Sequence, residues 1–370
     1  MNMKYIIYTL FLVILSCSAQ NNNDNHKNAD LKINESTSVQ FFTTPDIQGH
    51  KVIIDAIHNA KASIKLWMFN LTDAAVVKEL IAARQRGLDI RIILNKDMFS
   101  NIDAVSTVDL SKKGLSSAET VYALKAADLT VYKSSDAFSI SHAKTMIVDD
   151  TYAWITTMNL TMNFKVQRDA GLKIEDPLVI SDLLKLFSDD ILNAGDHGAR
   201  TTAPVSPNLV ISPTNSEAKL LEFIDSAQTS IQVTVENFSR GAMSEHLIAA
   251  AQKGIQVKVI APGCDLTPNP AFNFPVLALM EKSGVQSRVL VSPASATIPY
   301  MHQKMMIVDG KSSFVGSENY SLNSLTKARE IGIILSSVPT AQFLSSTFNA
   351  DWQQAVDVQK ATPDKNCKTF

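Results

Sequence analysis

The sequence predicts an α/β protein made of two similar domains, each a mixed β-sheet flanked by helices, packed with quasi-twofold symmetry. One observation is that the decapeptide SHAKTMIVDD at 141–150 returns nearly unchanged as MHQKMMIVDG at 301–310. Another is that residues 60–95 align without a gap with residues 227–262. A repeat of about 165 residues is too long for a solenoid unit, so it indicates two homologous domains.

Within each copy, amphipathic helices alternate with apolar strands. In the first copy the pattern predicts helices at 48–60, 74–86 and 117–126 and strands at 63–69, 89–94 and 128–133. In the second copy it predicts helices at 214–228, 242–253 and 271–283 and strands at 230–236, 256–260 and 285–291. Thr214-x-x-Glu217 reads as a capping box, and Gly87 and Gly254 end the middle helices. This alternation predicts a mixed, largely parallel sheet between helices in each domain.

Changes in composition divide the chain into six segments. They are a signal peptide at 1–19, a flexible tether at 20–39, a first domain at 40–195, a linker at 196–208, a second domain at 209–361 and a polar tail at 362–370. The tether is predicted because it is polar and lacks apolar periodicity. The first domain is expected to close with a helix at 178–193.

The N-terminus predicts export from a bacterial cytoplasm. The apolar run Tyr5–Leu15 is too short to span a bilayer as a mature helix but fits the core of an export signal. ILSC at 14–17 resembles a bacterial lipobox, in which Cys17 becomes the lipidated first residue. The alternative is an ordinary signal that is cut after Ala19. Either reading predicts a protein that is lipid-anchored in the cell envelope or secreted.

Charge and cysteine content exclude some classes of function. The 370 residues carry a formal net charge of −2 and no run of Lys or Arg, which is unlike an obligate duplex-DNA binder. Beyond position 17 only Cys264 and Cys367 remain, and two cysteines imply no disulfide framework, so we expect free thiols. No set of Cys, His and carboxylates has the spacing of a metal site, so neither metal nor cofactor is expected.

Each copy of the decapeptide predicts a β-hairpin. The apolar runs 144–148 and 304–308 end in Asp-Asp and Asp-Gly turn sequences and continue into second extended runs. Asp149 and Asp309 fall at the turns, where we assign them a structural role.

The predicted hairpins gather polar groups on one face. Residues two apart on a strand share a face, which joins His142 to Lys144 and His302 to Lys304. A turn centred on 150–151, and its equivalent at 310–311, sets the expected cross-strand pairs as His142 with Asn159, Lys144 with Thr157, His302 with Asn319, and Lys304 with Ser317. Each hairpin would then supply half of an oxyanion cage. A lone His-x-Lys-x4-Asp is often a surface histidine, but two at matching places argue against chance.

The paired pattern resembles the signature of the phospholipase D superfamily, His-x-Lys-x4-Asp-x6-Gly-Ser-x-Asn in two copies. The second copy matches in full, with His302, Lys304, Asp309, Gly316, Ser317 and Asn319. The first copy has His142, Lys144, Asp149 and Asn159, but Thr156-Thr157 replaces Gly-Ser. The resemblance covers about residues 40–355. Thr157 keeps a hydroxyl, whereas the β-branched Thr156 is expected to narrow the pocket or tilt the strand.

The resemblance implies two phospholipase D-like domains and a metal-independent phosphodiesterase. It gives His142 the role of nucleophile and His302 that of general acid, while the near-symmetry of the motifs leaves the reverse assignment open. The groups expected to hold the non-bridging phosphate oxygens are Lys144, Lys304, Asn159 and Asn319, with Ser317 beside them.

Each imidazole also needs an acid to fix its tautomer. The resemblance implies that Glu330, 28 residues after His302, is one of these acids, and Asp169, 27 residues after His142, is its repeat partner. The alternative for either acid is an ion pair with the arginine beside it, Arg168 or Arg329.

The expected substrate is a phospholipid at a membrane surface, with hydrolysis to phosphatidic acid and scope for transphosphatidylation. Export, the lipid anchor and the apolar loop 270–277 favour this phospholipase D reading, although apolar helix starts often face a core. The alternative is an exported nuclease acting on single-stranded nucleic acid, and a third reading is a non-catalytic protein that binds anionic headgroups. No obligate protein partner is implied.

Overall fold

The computed structural model describes residues 30–33, 37–264, 272–291 and 297–362. The predicted signal segment with Cys17, the start of the apolar loop at 270–277, and nearly all of the polar tail lie outside the described residues. No helix in the described part of the chain is long and apolar enough to cross a membrane.

The first domain is built on an eight-stranded sheet. Its strands, with the short β8 outside this sheet, are β1 Asp30–Ile33, β2 Thr37–Thr43, β3 Ser63–Met68, β4 Asp89–Leu94, β5 Thr130–Lys133, β6 Lys144–Val148, β7 Tyr152–Thr156, β8 Gln167–Arg168 and β9 Ala170–Ile174. Its helices are α1 Ile47–Asn59, α2 Ala74–Gln85, α3 Ser117–Ala126 and α4 Pro177–Asn193, with 3-10 turns at Lys96–Phe99, Ile102–Ala104 and Met162–Lys165. The strand order is β1-β2-β9-β7-β6-β3-β4-β5.

The second domain repeats this plan. Its strands, with the short β14 outside the main sheet, are β10 Leu209–Ser212, β11 Ser230–Thr234, β12 Gln256–Pro262, β13 Gln286–Leu290, β14 Tyr300–Met301, β15 Met305–Val308, β16 Ser312–Gly316, β17 Glu330–Ser336 and β18 Val356–Asp357. Its helices are α5 Ser216–Asp225, α6 Ala242–Gln252, α7 Phe274–Lys282, α8 Leu322–Thr326 and α9 Val338–Gln354. The strand order β10-β17-β16-β15-β11-β12-β13-β18 matches that of the first sheet from β2 to β5.

The predicted two-domain α/β architecture is confirmed, but the sheets are not largely parallel. In each domain three neighbouring strands are parallel, namely β3, β4 and β5 or β11, β12 and β13. The other pairings within the two sheets are antiparallel. The hairpin and the returning strand account for this, because they extend the parallel core on its other side without crossover helices.

The two sheets share a core between them. Helices α1 to α3 cover the outer face of the first sheet and α5 to α7 the outer face of the second. The inner faces bury Trp67 and Ile147 of the first domain together with Ile307 and Ile331 of the second, and α4 and α9 pack into the same cluster. The domains therefore meet through buried apolar surface, which favours a fixed relative position.

The predicted capping box before the first helix of the second domain is wrong. Helix α5 starts at Ser216 with Asn215 as its N-cap, and no side chain caps it, so Thr214 and Glu217 do not form a capping box. The Asn215 carboxamide oxygen instead accepts the N–H of Ile211 at 2.7 Å, which fixes the turn before the helix.

The tether is shorter than predicted. Residues 30–33 form β1, which pairs antiparallel with β2 from Thr37 onward, so the end of segment 20–39 belongs to the sheet. An edge strand needs only backbone pairing on one side, and polar sequences are tolerated there, so the absence of apolar periodicity did not reveal it.

The linker between the domains is held by helix α4. Asp182 accepts the N–H groups of Val205 and Ser206 at 2.7 Å, and Asp189 accepts that of Thr202 at 2.6 Å. Neither acid was apparent as a linker contact from the sequence.

In the second domain Cys264 is disulfide-bonded, so the expectation of a free thiol at this position is wrong.

The aspartates at the hairpin turns have the structural role that the sequence predicts. Asp149 accepts the backbone N–H groups of residues 61–63 at 2.7 to 3.0 Å, and Asp309 accepts those of residues 228–230 at 2.7 to 3.2 Å. Although burial opposes it, these donors hold the pKa of both carboxyls below the usual value.

Asp149→Ala or Asp309→Ala is expected to lower the free energy of unfolding by about 2 kcal/mol, as for the loss of a side-chain cap. The folded pKa lies below the reference value of 3.8, so the stabilisation is complete above that pH and is lost as pH falls through the folded pKa. Denaturant titrations at neutral and acidic pH measure this, with Asp55→Ala as the control because the side chain of Asp55 is 48% exposed. A penalty that is the same at both pH values would contradict the assignment.

Candidate active site

The two hairpins that carry the His-x-Lys motifs differ from the prediction by one residue in their strand register. Val148 pairs with Tyr152 and Thr145 with Ile155, so the turn has three residues rather than two. Asp149 and its neighbour in the turn both adopt left-handed conformations, with φ of 53° and 56°. In the second hairpin Gly316, not Ser317, donates its N–H to the carbonyl of Lys304.

This slip changes the composition of the polar face. Lys144 lies opposite Thr156 and Lys304 opposite Gly316, so the predicted partners Thr157 and Ser317 are wrong. A shift of one residue moves a side chain to the other face of a strand. The expected cage of ammonium, hydroxyl and amide on one face of each hairpin therefore does not form in that way.

The segments that carry the two histidines are anchored on the opposite domain. The N–H of His142 donates to the carbonyl of Arg329 at 2.8 Å, and the N–H of His302 donates to that of Arg168 at 3.2 Å. Strand β14, which leads into His302, pairs in parallel with β8. The histidine of one domain thus lies beside the acid-bearing strand of the other.

Each imidazole consequently binds the acid of the other domain. Nδ1 of His142 lies 2.9 Å from Oε2 of Glu330, and Nδ1 of His302 lies 2.7 Å from Oδ1 of Asp169. All four side chains are buried. With both Nδ1 atoms engaged by these acids, Nε2 is the atom of each ring left for a further partner. Neither acid pairs with the adjacent arginine, because Arg329 binds Asp190 and Arg168 binds Asp351.

Hydroxyls hold the two acids in place. Thr157 donates to Oδ1 of Asp169 at 2.6 Å, and Ser324 donates to Oε1 of Glu330 at 2.6 Å. Ser317 does not copy Thr157, because its hydroxyl bonds the backbone N–H and C=O of Ile331. It ties β16 to β17 and serves the site indirectly.

The two lysines are buried in different surroundings. The ammonium of each donates to the carbonyl of its own histidine at 2.5 Å. Lys304 also donates to Oε2 of Glu236 at 2.8 Å, whereas Lys144 lies 5.0 Å from the ring centre of Phe69. The ring of Phe69 also contacts His142 edge-on, with 4.7 Å between centroids.

Glu236 is a site residue that the motifs did not reveal. The gap-free alignment of the repeats pairs it with Phe69, and this exchange of an aromatic residue for a carboxylate at a strand end is the signal that could have found it. Its Oε2 lies 3.5 Å from Nε2 of His302, and its Oε1 accepts the hydroxyl of Tyr300 at 3.0 Å. The two halves of the site are therefore related by symmetry but chemically different.

Burial and charge tune the groups of the site. Burial, reinforced by Lys144 and Lys304 and opposed by Glu330, lowers the pKa of His142 to about 4. Burial and the charge of Lys304 lower the pKa of Lys144 to about 7. Burial alone would raise the pKa of Glu236, but Lys304 holds it below its usual value. His142 is thus a neutral imidazole at neutral pH.

The asparagines of the two motifs are not equivalent. Asn319 accepts the N–H of Asn237 at 2.9 Å, while the side-chain oxygen of Asn159 is buried and has no hydrogen-bond partner among the described residues.

No group of three or more His, Cys, Asp or Glu side chains within the described ranges is arranged to hold a metal ion.

The replacement of Gly by Thr156 has a structural reason. A Cβ at Gly316 would lie 2.3 Å from the carboxylate of Glu318, so glycine is required where that buried side chain crosses the strand. In the first domain Met158 stands in place of Glu318, and Thr156 donates its hydroxyl to the carbonyl of Lys144 at 3.1 Å. Its methyl group lies against Gly171 of the neighbouring strand β9.

Comparison with known proteins agrees with this architecture. The family model described as cardiolipin synthase, PLD-like domain matches the chain twice, over residues 53–191 and 220–352. Phospholipase D Z of Dictyostelium discoideum is 23% identical, over 95% of this chain and 97% of that protein. Mitochondrial cardiolipin hydrolase of Mus musculus is 26% identical over 140 residues, which cover 38% of this chain and 59% of the hydrolase. The chain thus matches little more than half of the hydrolase.

Among solved structures, phosphatidylserine synthase of Haemophilus influenzae Rd KW20 superposes with a TM-score of 0.64 at 12% identity, over 88% of this chain and 89% of that one. Polyphosphate kinase of Porphyromonas gingivalis gives a TM-score of 0.59 at 12% identity, over 84% of this chain and 50% of the kinase. At such identities the likeness shows a shared fold.

Proposed function

The chain belongs to the family of cardiolipin synthase, PLD-like domains, and from this premise we propose that it is a metal-independent phospholipase D. It would hydrolyse phospholipids to phosphatidic acid and a headgroup alcohol. The observation that carries the proposal is the exchange of partners between the domains, in which each of two buried imidazoles is held at Nδ1 by an acid from the other domain. The match to Phospholipase D Z along nearly the whole length of both proteins supports the choice of substrate.

The first step is attack by His142 on phosphorus. Its Nε2 is neutral and Glu330 holds its Nδ1, so a lone pair is available. The N–P bond forms while the bond from phosphorus to the headgroup oxygen breaks, and His302 gives a proton to the departing alcohol. Lys144 and Lys304 offset the charge that builds on the non-bridging oxygens.

The second step releases the product. His302, now neutral, takes a proton from water, and the resulting oxygen attacks phosphorus as the P–N bond to His142 breaks. An alcohol in place of water would give transphosphatidylation.

Because both steps use imidazoles, activity is expected to persist in EDTA, and its loss on chelation would contradict the mechanism.

Lys144 gives the reaction a predicted pH dependence. Its pKa of about 7 means that the ammonium loses its proton as pH rises through neutrality. KM for a phosphodiester is therefore expected to rise above that pH, because one positive charge no longer faces the phosphate. The KM of a Lys144→Arg variant, measured across the same range, is expected to stay level. A parent KM that does not change through neutral and alkaline pH would contradict this.

The substrate is tested by competition. The purified protein is offered labelled phosphatidylcholine or phosphatidylethanolamine together with a labelled single-stranded oligonucleotide, with EDTA present. Release of headgroup alcohol without cleavage of the oligonucleotide is expected. Cleavage of the oligonucleotide alone would favour the nuclease, and no turnover of either would favour a headgroup-binding protein.

We also propose export and lipidation at Cys17. The support is the signal-like sequence, together with the disulfide bond at Cys264, since disulfides persist in oxidising compartments. The mass of the mature N-terminus checks this: a diacylated Cys17 is expected, and an unmodified N-terminus at Gln20 would instead indicate ordinary secretion.

A further inference from the structure

A pocket outside the catalytic centre gathers positive charge on the first domain. It has a volume of about 290 Å³, and four lysines line it together with His50 and Asp73. The lysines are Lys78, Lys112, Lys113 and Lys165, and we refer to this site as the lysine pocket. In a chain with a net charge of −2, such a cluster is a local exception.

Most of this charge is uncompensated. Lys112 pairs with Glu119 at 2.8 Å, but no carboxylate of the described residues lies within ion-pair distance of Lys78, Lys113 or Lys165. All four lysines are exposed. Three ammonium groups around one cavity therefore lack a protein anion, which is the arrangement expected of a binding site for a phosphate group.

Contacts between side chains and backbone fix the inner wall of the lysine pocket. His50 is 6% exposed and stacks on Phe164 with 4.0 Å between ring centroids, and its Nε2 lies 2.5 Å from Oδ2 of Asp73. The carbonyl of Lys113 accepts the N–H of Ala74, the first residue of α2. The lysine-bearing loop is thus fixed against the start of that helix.

Backbone contacts connect the lysine pocket to the segments of the candidate site. The N–H groups of Thr72 and Asp73 donate to the carbonyl of Leu160, the residue after Asn159, at 2.9 and 3.0 Å. The same loop begins at Phe69, whose ring contacts His142. The pocket therefore lies at the end of β3 from which the candidate site is built.

The second domain has a pocket at the equivalent place, but its lining is mainly apolar rather than cationic. The repeat offset that pairs Phe69 with Glu236 also pairs Asp73 with Arg240. Arg240 lines a cavity of about 390 Å³ whose walls include Phe238, Phe272 and Leu279. Asn273 joins this apolar pocket to the active site by donating to the carbonyl of Glu236 at 2.8 Å.

We propose that the lysine pocket binds the phosphate of an anionic phospholipid and that, with the apolar pocket taking an acyl chain, it makes the active-site edge a membrane-docking face. The inference rests on the proposed lipid substrate, and it adds a second phosphate site that does no chemistry. A cationic pocket and an apolar pocket at equivalent places in the two domains match the charged headgroups and the acyl chains of a lipid surface.

A single-stranded nucleic acid fits these observations less well. Such binding depends on exposed aromatic rings that stack on bases along a charged groove. Within the described residues the exposed large apolar side chains are Leu178, Leu192, Val205, Leu322 and Val338, and none is aromatic. The cations also surround one cavity rather than follow a path.

The test separates binding from turnover. The full chain carries Cys17→Ser, which prevents lipidation, and His142→Ala, which prevents cleavage. Its co-sedimentation is measured with phosphatidylcholine vesicles that contain or lack phosphatidylglycerol. The test variant adds K78E, K113E and K165E. The matched control adds K253E, K282E and K311E, three exposed lysines at the far ends of α6 and α7 and in the β15–β16 turn.

The parent and the control are expected to bind phosphatidylglycerol vesicles alike, and the test variant about 100-fold more weakly. High salt should reduce binding by the parent. With His142 restored, the test variant should hydrolyse a monomeric short-chain phospholipid at the parental rate but show a raised KM on vesicles.

Equal vesicle binding by the test and control variants would overturn the proposal. So would a loss of turnover on the monomeric lipid, because the lysines would then belong to the catalytic site. Competition by inorganic phosphate as strong as that by vesicles would indicate a free-phosphate site instead. If only an oligonucleotide bound through these lysines, the pocket would be a nucleic-acid contact. Because the binding assay uses an inactive protein, its result stands apart from failure of the proposed hydrolysis.

Discussion

Alanine in place of either His142 or His302 is expected to reduce kcat by a factor of about 10⁴ or more. In the proposed mechanism the two imidazoles perform successive parts of one displacement, so that neither replaces the other. The measurement is single-turnover and steady-state hydrolysis of a labelled phospholipid. His58→Ala and His246→Ala are the controls, because these histidines are partly or largely exposed and pair with surface acids.

Substantial activity in either catalytic variant would refute a shared site. Accumulation of a labelled phosphoprotein distinguishes the two roles. If His142 is the nucleophile, label should be trapped in a variant at position 302 and be absent from a variant at 142. The reverse pattern would exchange the assignments.

Glu330→Gln and Asp169→Asn are each expected to lower kcat by about 10²-fold or more, because each removes the charge that fixes the tautomer of an imidazole. In addition, each substitution is expected to affect the histidine of the other domain. Glu330→Gln should change the ring ¹⁵N signals of His142, and Asp169→Asn those of His302.

Asp128→Asn serves as the control for both substitutions, since that acid is 88% exposed. If the ¹⁵N signals changed instead in the histidine of the same domain as the substituted acid, the pairing of each acid with the histidine of the other domain would be contradicted. An unchanged kcat with shifted signals would show that tautomer control is not needed for turnover.

Much of the fold could be read from the repeat. Strands and helices recur at matching offsets in the two copies, so the alternation was visible twice, and the observed boundaries mostly differ from the predicted ones by one to three residues. The hairpin register was not visible. Two- and three-residue turns differ here only by the left-handed backbone of Asp149 and Asp150, which the sequence permits but does not require.

Most residues of the candidate site were predictable from the sequence, but the contacts between them were not. The motif gave His142 and His302, the family resemblance implied Glu330, and the repeat added Asp169. Which acid meets which imidazole depends on how the two sheets pack, and that is a property of the buried interface rather than of any local pattern. Glu236 needed the alignment of the copies, because a single glutamate at a strand end belongs to no recognisable motif.

The crossing of histidines and acids between the halves bears on how such a chain could have arisen. A polypeptide with one repeat would lack the carboxylate for its own imidazole, so it could gain a working centre only by self-association with a second copy. Covalent fusion of two such copies removes the concentration dependence of that assembly. It also releases each copy to diverge, and the Phe69 and Glu236 pair records one such divergence beside the reacting atoms.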